Sequence, residues 1–164
     1  MTQEIIIREI TVEEEFALAK VEGLFCDMYR YMKQHGLVIG LAEKGKQKWR
    51  DGISKSLGRF GVLLVAMHKE EVCAFAHGNI KLSPDYLGNL KVGVITHIFV
   101  DEEYRGKGVG ERLVKGLENW FAAKDVHSVE LQVLSANKAG IAFWEKLGYP
   151  LELNQHRKAG TELI

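Results

Sequence analysis

The run 'LKVGVITHIFV', Leu90 to Val100, passes into 'DEEYRGKGVG' and then into an amphipathic helical pattern. That succession restricts the fold more than any other feature of the chain. The β-branched run reads as a strand. Val109 to Phe121 places Leu113, Val114, Leu117 and Phe121 on one helical face. A further strand-like run, 'VHSVELQVL', and a helix, 'NKAGIAFWEKLGY' ending at Gly148, complete a strand–turn–helix–strand–helix half. Glycines at a helix entry let backbone N–H groups converge on an anion, and the helix dipole adds positive potential.

Upstream, Glu4 to Ile10 reads as a first strand. Thr11 and Glu14 form a T-x-x-E capping box, which predicts a helix start there. Leu18, Val21, Phe25, Met28 and Met32 continue it on one apolar face until His35-Gly36. A second helix is expected from Glu43, with Trp49, Ile53 and Leu57 on one side. 'VLLVAMH' and 'EVCAFAHGNIKL', split by Lys69-Glu70-Glu71, read as a hairpin, and 'SPDYLGN' as a turn-rich connection. 'LEL', Leu151 to Leu153, is expected to begin a last strand. This order implies an α/β (α+β mixed) fold, a mixed sheet with helices on both faces. At 164 residues the chain is expected to form one domain, 1–164, because splitting it would leave two poor cores.

Composition narrows the classes of partner. Basic and acidic residues number 22 each, so no nucleic-acid footprint is expected. No run approaches a membrane span, and 'MTQEIIIREI' lacks the long apolar stretch of a signal peptide. Cys26 and Cys73 are isolated in apolar contexts and read as reduced thiols. A cytoplasmic protein with no membrane partner is therefore expected. The six histidines are scattered without metal-ligand spacing, so no metal is expected.

Three readings compete for 'RGKGVG', Arg105 to Gly110. A P-loop requires Lys-Ser/Thr after its last glycine, which is missing. A Rossmann turn requires G-x-G-x-x-G directly after a strand. Here the spacing is G-x-G-x-G, and Asp101 to Arg105 intervene. The third reading is a pyrophosphate loop of pattern Q/R-x-x-G-x-G/A, met by Arg105, Gly108 and Gly110. Alternatively, the glycines serve only close packing at a helix entry.

The segment from Val92 to Tyr149 resembles the GCN5-related N-acetyltransferase (GNAT) superfamily. Arg105, Gly108 and Gly110 match its cofactor turn. Asn137, Phe143, Gly148 and Tyr149 match its downstream N-x-x-A-x-x-F-Y-x-x-x-G-F/Y element, with Gly140 at the alanine position and Trp144 at the tyrosine. The resemblance implies a mostly antiparallel central sheet and acetyl-CoA as cosubstrate. It implies that Arg105, Gly106, Lys107, Gly108, Val109 and Gly110 hold the pyrophosphate. Backbone groups of Ile98, Phe99 and Val100 would meet the pantetheine arm, and Asn137 would bond that arm or a nearby water. Asn137 also suits a helix N-cap. The implied reaction is direct attack of a primary amine on the thioester in a ternary complex, with a small-molecule or peptide amine as acceptor. A homodimer is compatible with this reading.

The chemistry needs a base for the amine and tolerates an acid for the leaving thiolate. His97, on the strand leading into the loop, is the candidate base, and its ordinary pKa suits proton removal near neutrality. It also reads as a packed strand histidine. His77 is a second candidate. Strand alternation puts Ile95, His97 and Phe99 on one face and Thr96, Ile98 and Val100 on the other, unless a bulge intervenes. Trp144 stands where relatives place an acid tyrosine, and indole N–H is a donor that does not usefully titrate. Tyr149 reads as core. Asp27, Tyr29, Tyr31, Glu43, Trp49 and Asp85, from the segments expected to meet the acceptor, suit a cation but equally suit ordinary amphipathic helices. The alternative to an enzyme is a non-catalytic acyl-CoA-binding module of the same fold.

Overall fold

The computed structural model describes residues 4–163. Five strands form one sheet in the order β1-β2-β3-β4-β5: β1 (Ile5–Glu9), β2 (Gly61–His68), β3 (Glu71–Leu82), β4 (Lys91–Val100) and β5 (Ser128–Leu131). The pairs β1·β2, β2·β3 and β3·β4 are antiparallel, and β4·β5 is parallel. Helices α1 (Glu15–Gln34) and α2 (Gly45–Ser54) precede β2, α3 (Val109–Ala123) joins β4 to β5, and α4 (Lys138–Lys146) follows β5. The mixed, mostly antiparallel sheet of the sequence reading is present.

Two apolar clusters lie on opposite faces of the sheet. One joins Val62, Leu64, Ala74, Ala76 and Ile95 to Leu113, Leu117 and Phe121 of α3 and Trp144 of α4. The other joins Leu63, Val65 and Phe75 to Leu18, Val21, Phe25 and Met28 of α1 and Ile53 of α2. Residues of β2 alternate between them, Val62 and Leu64 to one and Leu63 and Val65 to the other, as a strand buried on both faces requires. Gly78 and Gly93 leave room for the ring of Phe121, since a Cβ at either would stand 2.8 Å from it.

Four boundaries depart from the sequence reading. Helix α1 begins at Glu15, not Thr11, because Thr11 and Glu14 close a turn of their own. Only half of the capping box forms: Glu14 Oε2 accepts from the Thr11 N–H at 2.9 Å while Glu14 Oε1 meets Arg8 at 2.7 Å. Helix α2 starts at Gly45, two residues after Glu43, behind Lys44 in a left-handed conformation. Strand β5 is confined to Ser128–Leu131 because its partner edge on β4 ends at Ile95. 'LEL' forms no strand: it follows Pro150, and Leu151 and Leu153 are 70% and 82% exposed, with nothing packed over them. No described helix is long and apolar enough to cross a membrane.

Candidate functional site

The site starts from one extra residue in β4. Opposite β3, Ile98 pairs with Ala76 and His97 with His77, but the next pair is Ile95 with Gly78. Thr96 is the bulged residue, and a bulge bends the strand and reverses its side-chain alternation. Ile95 therefore joins the α3-side cluster together with Ile98 and Val100. Phe99 packs on the α1-side cluster, and His97 meets Phe25 and Trp49 there. The uninterrupted alternation that grouped Ile95 with His97 and Phe99 is corrected by this register shift.

The bulge also coincides with the end of the parallel ladder. Pairing with β5 covers Val92 to Ile95 only, and β4 then runs on to Val100 without β5 beside it. Ile98, Phe99 and Val100 thus lie on an edge of β4 that β5 leaves unpaired. Backbone donors and acceptors on such an edge suit an extended polar chain.

At the end of β4 the chain makes a short turn, Glu102 to Tyr104, and enters the glycine loop. Gly106 and Gly108 have φ of +71° and +74°, the left-handed region that favours glycine. Gly108 is the residue before α3 and offers no side-chain cap, so the first N–H groups of α3 are not claimed by one. Gly110 plays a different part: a Cβ there would stand 3.3 Å from the Phe143 ring, so this glycine serves helix–helix packing. Val109 is buried, its side chain part of the α3-side core. Lys107 Nζ donates to Glu103 O at 2.9 Å. Arg105 Nε donates to Val100 O at 2.9 Å, and its guanidinium lies over Tyr31 and Phe99, 5.1 and 5.2 Å from the ring centres. Gly110 thus serves helix packing through its missing Cβ, whereas Gly106 and Gly108 take the left-handed conformations of the turn that leads into α3.

Asn137 precedes α4 and caps it, its Oδ1 accepting from the Gly140 N–H at 3.0 Å. The same oxygen accepts from the Tyr31 hydroxyl at 3.3 Å, which ties α1 to the start of α4. Gly140 accommodates this side chain, because a Cβ there would meet Asn137 Nδ2 at 2.5 Å.

His97 occupies an aromatic corner. Phe25 and Trp49 stack 4.1 Å apart, and His97 stands nearly edge-on to both, at 5.3 and 5.5 Å between ring centres. Burial pushes its pKa from the ordinary 6.5 down to about 4. His77 is 3% exposed and is also pushed down to about 4, by burial first and by the neighbouring His97 second. His97 remains only half-buried. The Thr96 hydroxyl lies between the two imidazoles, 2.5 Å from His77 Nδ1 and 2.9 Å from His97 Nδ1. Sequence reasoning missed Thr96 and Phe25 as neighbours of the candidate base, because neither carries a motif and only the bulge brings them together.

Trp144, at the position of the family's tyrosine, is buried at 6% exposure and packs on Phe143 and Tyr149 in the α3-side core. Tyr149 donates to Glu118 Oε1 at 2.9 Å, and burial with that carboxylate raises its pKa well above the usual phenol range. Of the expected acceptor-side residues, Asp27 is bonded to Arg30, while Glu43 and Asp85 are exposed. A polar groove between α1 and α2, about 510 Å³, is lined by Glu15, Glu22, Arg50 and Asp51 and contains neither His97 nor the glycine loop.

A sequence profile described as Acetyltransferase (GNAT) family matches residues 23–149. Uncharacterized N-acetyltransferase YobR of Bacillus subtilis is 32% identical over 66 residues, 40% of this chain and 27% of that protein. Uncharacterized N-acetyltransferase MJ1207 of Methanocaldococcus jannaschii is 31% identical over 75 residues, 44% of this chain and 33% of that protein. The matched stretches thus span a third or less of these curated relatives. Among solved structures, aminoglycoside N-acetyltransferase AAC(6')-Iy in complex with CoA superposes with a TM-score of 0.76 at 17% identity, covering 96% of this chain and 97% of that one. At that identity the likeness speaks for the fold.

Proposed function

The chain belongs to the acetyltransferase (GNAT) family, and we propose that it transfers an acetyl group from acetyl-CoA to a primary amine by direct attack within a ternary complex. One observation carries the reading: the left-handed Gly106–Gly108 turn leads into the uncapped start of α3, directly beside the stretch of β4 that β5 leaves unpaired. A pyrophosphate fits the first feature and a pantetheine arm the second. Acetyl-CoA supplies an acyl group already activated as a thioester.

The chain's own residues divide the work. The N–H groups of Gly106, Lys107, Gly108, Val109 and Gly110 would hold the pyrophosphate, with Arg105 adding charge. Asn137, already shared between α4 and Tyr31, would bond the pantetheine arm. Backbone groups of Ile98, Phe99 and Val100 would align that arm and place the carbonyl near His97.

His97 is the base of this reading. With its pKa at about 4 it is neutral at physiological pH, so the lone pair is always present. Its weak basicity suits a proton that leaves late, because the attacking nitrogen grows more acidic as its bond to the acyl carbon forms. Trp144 supplies no acid, being buried in the core. The thiolate of CoA then departs without one. The acceptor would enter beside Tyr29 and Trp49, the half-buried aromatic rings that pack on Phe25 and suit an amine-bearing molecule. The neighbour AAC(6')-Iy is named as acting on aminoglycosides. Small polyhydroxylated amines therefore head the panel of acceptors to test, with amino acids and peptide N-termini beside them.

An amine panel followed by release of the CoA thiol, with calorimetry of acetyl-CoA, tests the proposal. Binding of acetyl-CoA and turnover on at least one amine are expected. Binding without turnover on any amine would favour the non-catalytic acyl-CoA-binding module, and preference for NAD would overturn the cofactor assignment. His97→Ala should lower turnover by about a hundredfold while leaving acetyl-CoA affinity unchanged. Undiminished turnover would remove His97 as base.

A further inference from the structure

The Thr96 hydroxyl has three polar neighbours: His77 Nδ1 at 2.5 Å, His97 Nδ1 at 2.9 Å and the His77 carbonyl at 3.2 Å. A hydroxyl has one proton and two lone pairs. The carbonyl can only accept, so it takes the Thr96 proton. Both lone pairs then receive N–H groups, one from each imidazole. No other assignment satisfies all three contacts with neutral rings. A neutral histidine with Nδ1 protonated carries its lone pair on Nε2.

We propose that Thr96 is a positioning residue: its hydroxyl holds His77 and His97 together as Nδ1–H tautomers and so leaves His97 Nε2 as the atom that takes the proton from the acceptor amine. The catalytic part rests on His97 being the base of the acetyl transfer described above. In the step itself, the amine nitrogen forms its bond to the acyl carbon, the carbon–sulfur bond breaks, and one N–H proton passes to His97 Nε2. The Nδ1–H stays on Thr96 Oγ1 throughout. Afterwards Nε2 returns the proton to solvent.

The two histidines have unequal parts in this arrangement. His77 is 3% exposed, and its Nε2 has no partner among the described residues. It is enclosed behind Thr96, with Trp49 as an edge-on neighbour. His97 keeps open surface and faces the aromatic corner. His77 therefore braces the hydroxyl from within, and His97 presents its free nitrogen outward. The bulge is what allows this, since in an unbroken ladder Thr96 would pair with a β3 residue of its own rather than stand between two imidazoles.

Nitrogen-15 spectra of the full chain at pH 7, with His77→Gln and His97→Gln used to assign the rings, test the tautomers directly. The expected result is a protonated Nδ1 and an unprotonated Nε2 at both residues, against the Nε2–H form that free histidine favours in water. Thr96→Val should release His97 toward the Nε2–H form and lower turnover about tenfold, about 1.4 kcal/mol, at unchanged acetyl-CoA affinity. Thr96→Ser should restore both. An Nε2–H His97 in the parent chain would overturn the Thr96 assignment whatever the variants do. Retention of tautomer and turnover in Thr96→Val would do the same. If His97→Ala turns over like the parent, the catalytic part falls although the tautomers stand, which separates failure of the base from failure of the lock.

Discussion

Gly108 stands at φ +74° with open space where a Cβ would project. Replacing it costs backbone strain and access to the loop, not core packing. Gly108→Val should therefore raise the acetyl-CoA dissociation constant at least tenfold, about 1.4 kcal/mol, measured by calorimetry. A lowered melting temperature from the backbone strain should accompany this loss, and unchanged affinity would remove the pyrophosphate role. Gly108 and Asn137 were legible in the sequence because glycine before a helix and asparagine at a cap each answer a backbone demand that the residue type itself announces. Thr96 was not legible. Its hydroxyl matters only through two side chains that pairing and a bulge bring to it, and one of them is nineteen positions away. Trp144 lies between these cases. Its type showed that no phenol was present, while its burial emerged only from the packing of α4 on α3.

Strand β4 joins two kinds of surface. Near its start Gly93 lies under the Phe121 ring, matched on β3 by Gly78. Gly93→Ala would put a methyl 2.8 Å from that ring, and overpacking of this kind costs about 1–3 kcal/mol. A lowered midpoint in urea unfolding should follow, with acetyl-CoA affinity of the folded fraction preserved. Most elements could be read from periodicity because α1, α3 and α4 each bury one face, β2 and β3 carry long apolar runs and β4 is rich in β-branched residues. The failures occurred where another contact competed. The Glu14 N–H turned back to the Thr11 carbonyl instead of donating to the Thr11 hydroxyl, so the second half of the capping box never formed. The run after Val126 lost its partner strand at Ile95. Leu151 and Leu153 had β-like neighbours in sequence but follow Pro150 and stay exposed, joining neither edge of the sheet.

At the scale of the molecule, a buried and a half-buried histidine make stability depend on acidity. His77 and His97 titrate near 4 when folded and near 6.5 when unfolded. Between those values the unfolded chain binds protons that the folded chain does not, so stability falls as pH drops from 6.5 toward 4. Each histidine fully titrated accounts for on the order of 3 kcal/mol, against a total of about 5–15 kcal/mol for ordinary domains. Urea midpoints at pH 7.5 and pH 5 should differ clearly, and His77→Gln should narrow the gap. Equal midpoints would contradict the lowered pKa of both rings. The extra residue at Thr96 has a consequence of another kind. It gives the two halves of β4 opposite parity: odd-numbered Gly93 and Ile95 serve the α3 core, whereas odd-numbered His97 and Phe99 face the aromatic corner. Selection for a new acceptor can therefore act on one half of the strand while the other continues to answer only to packing. A one-residue deletion at this point would exchange the two duties at once, so the length of β4 is as constrained as the identity of any residue in it.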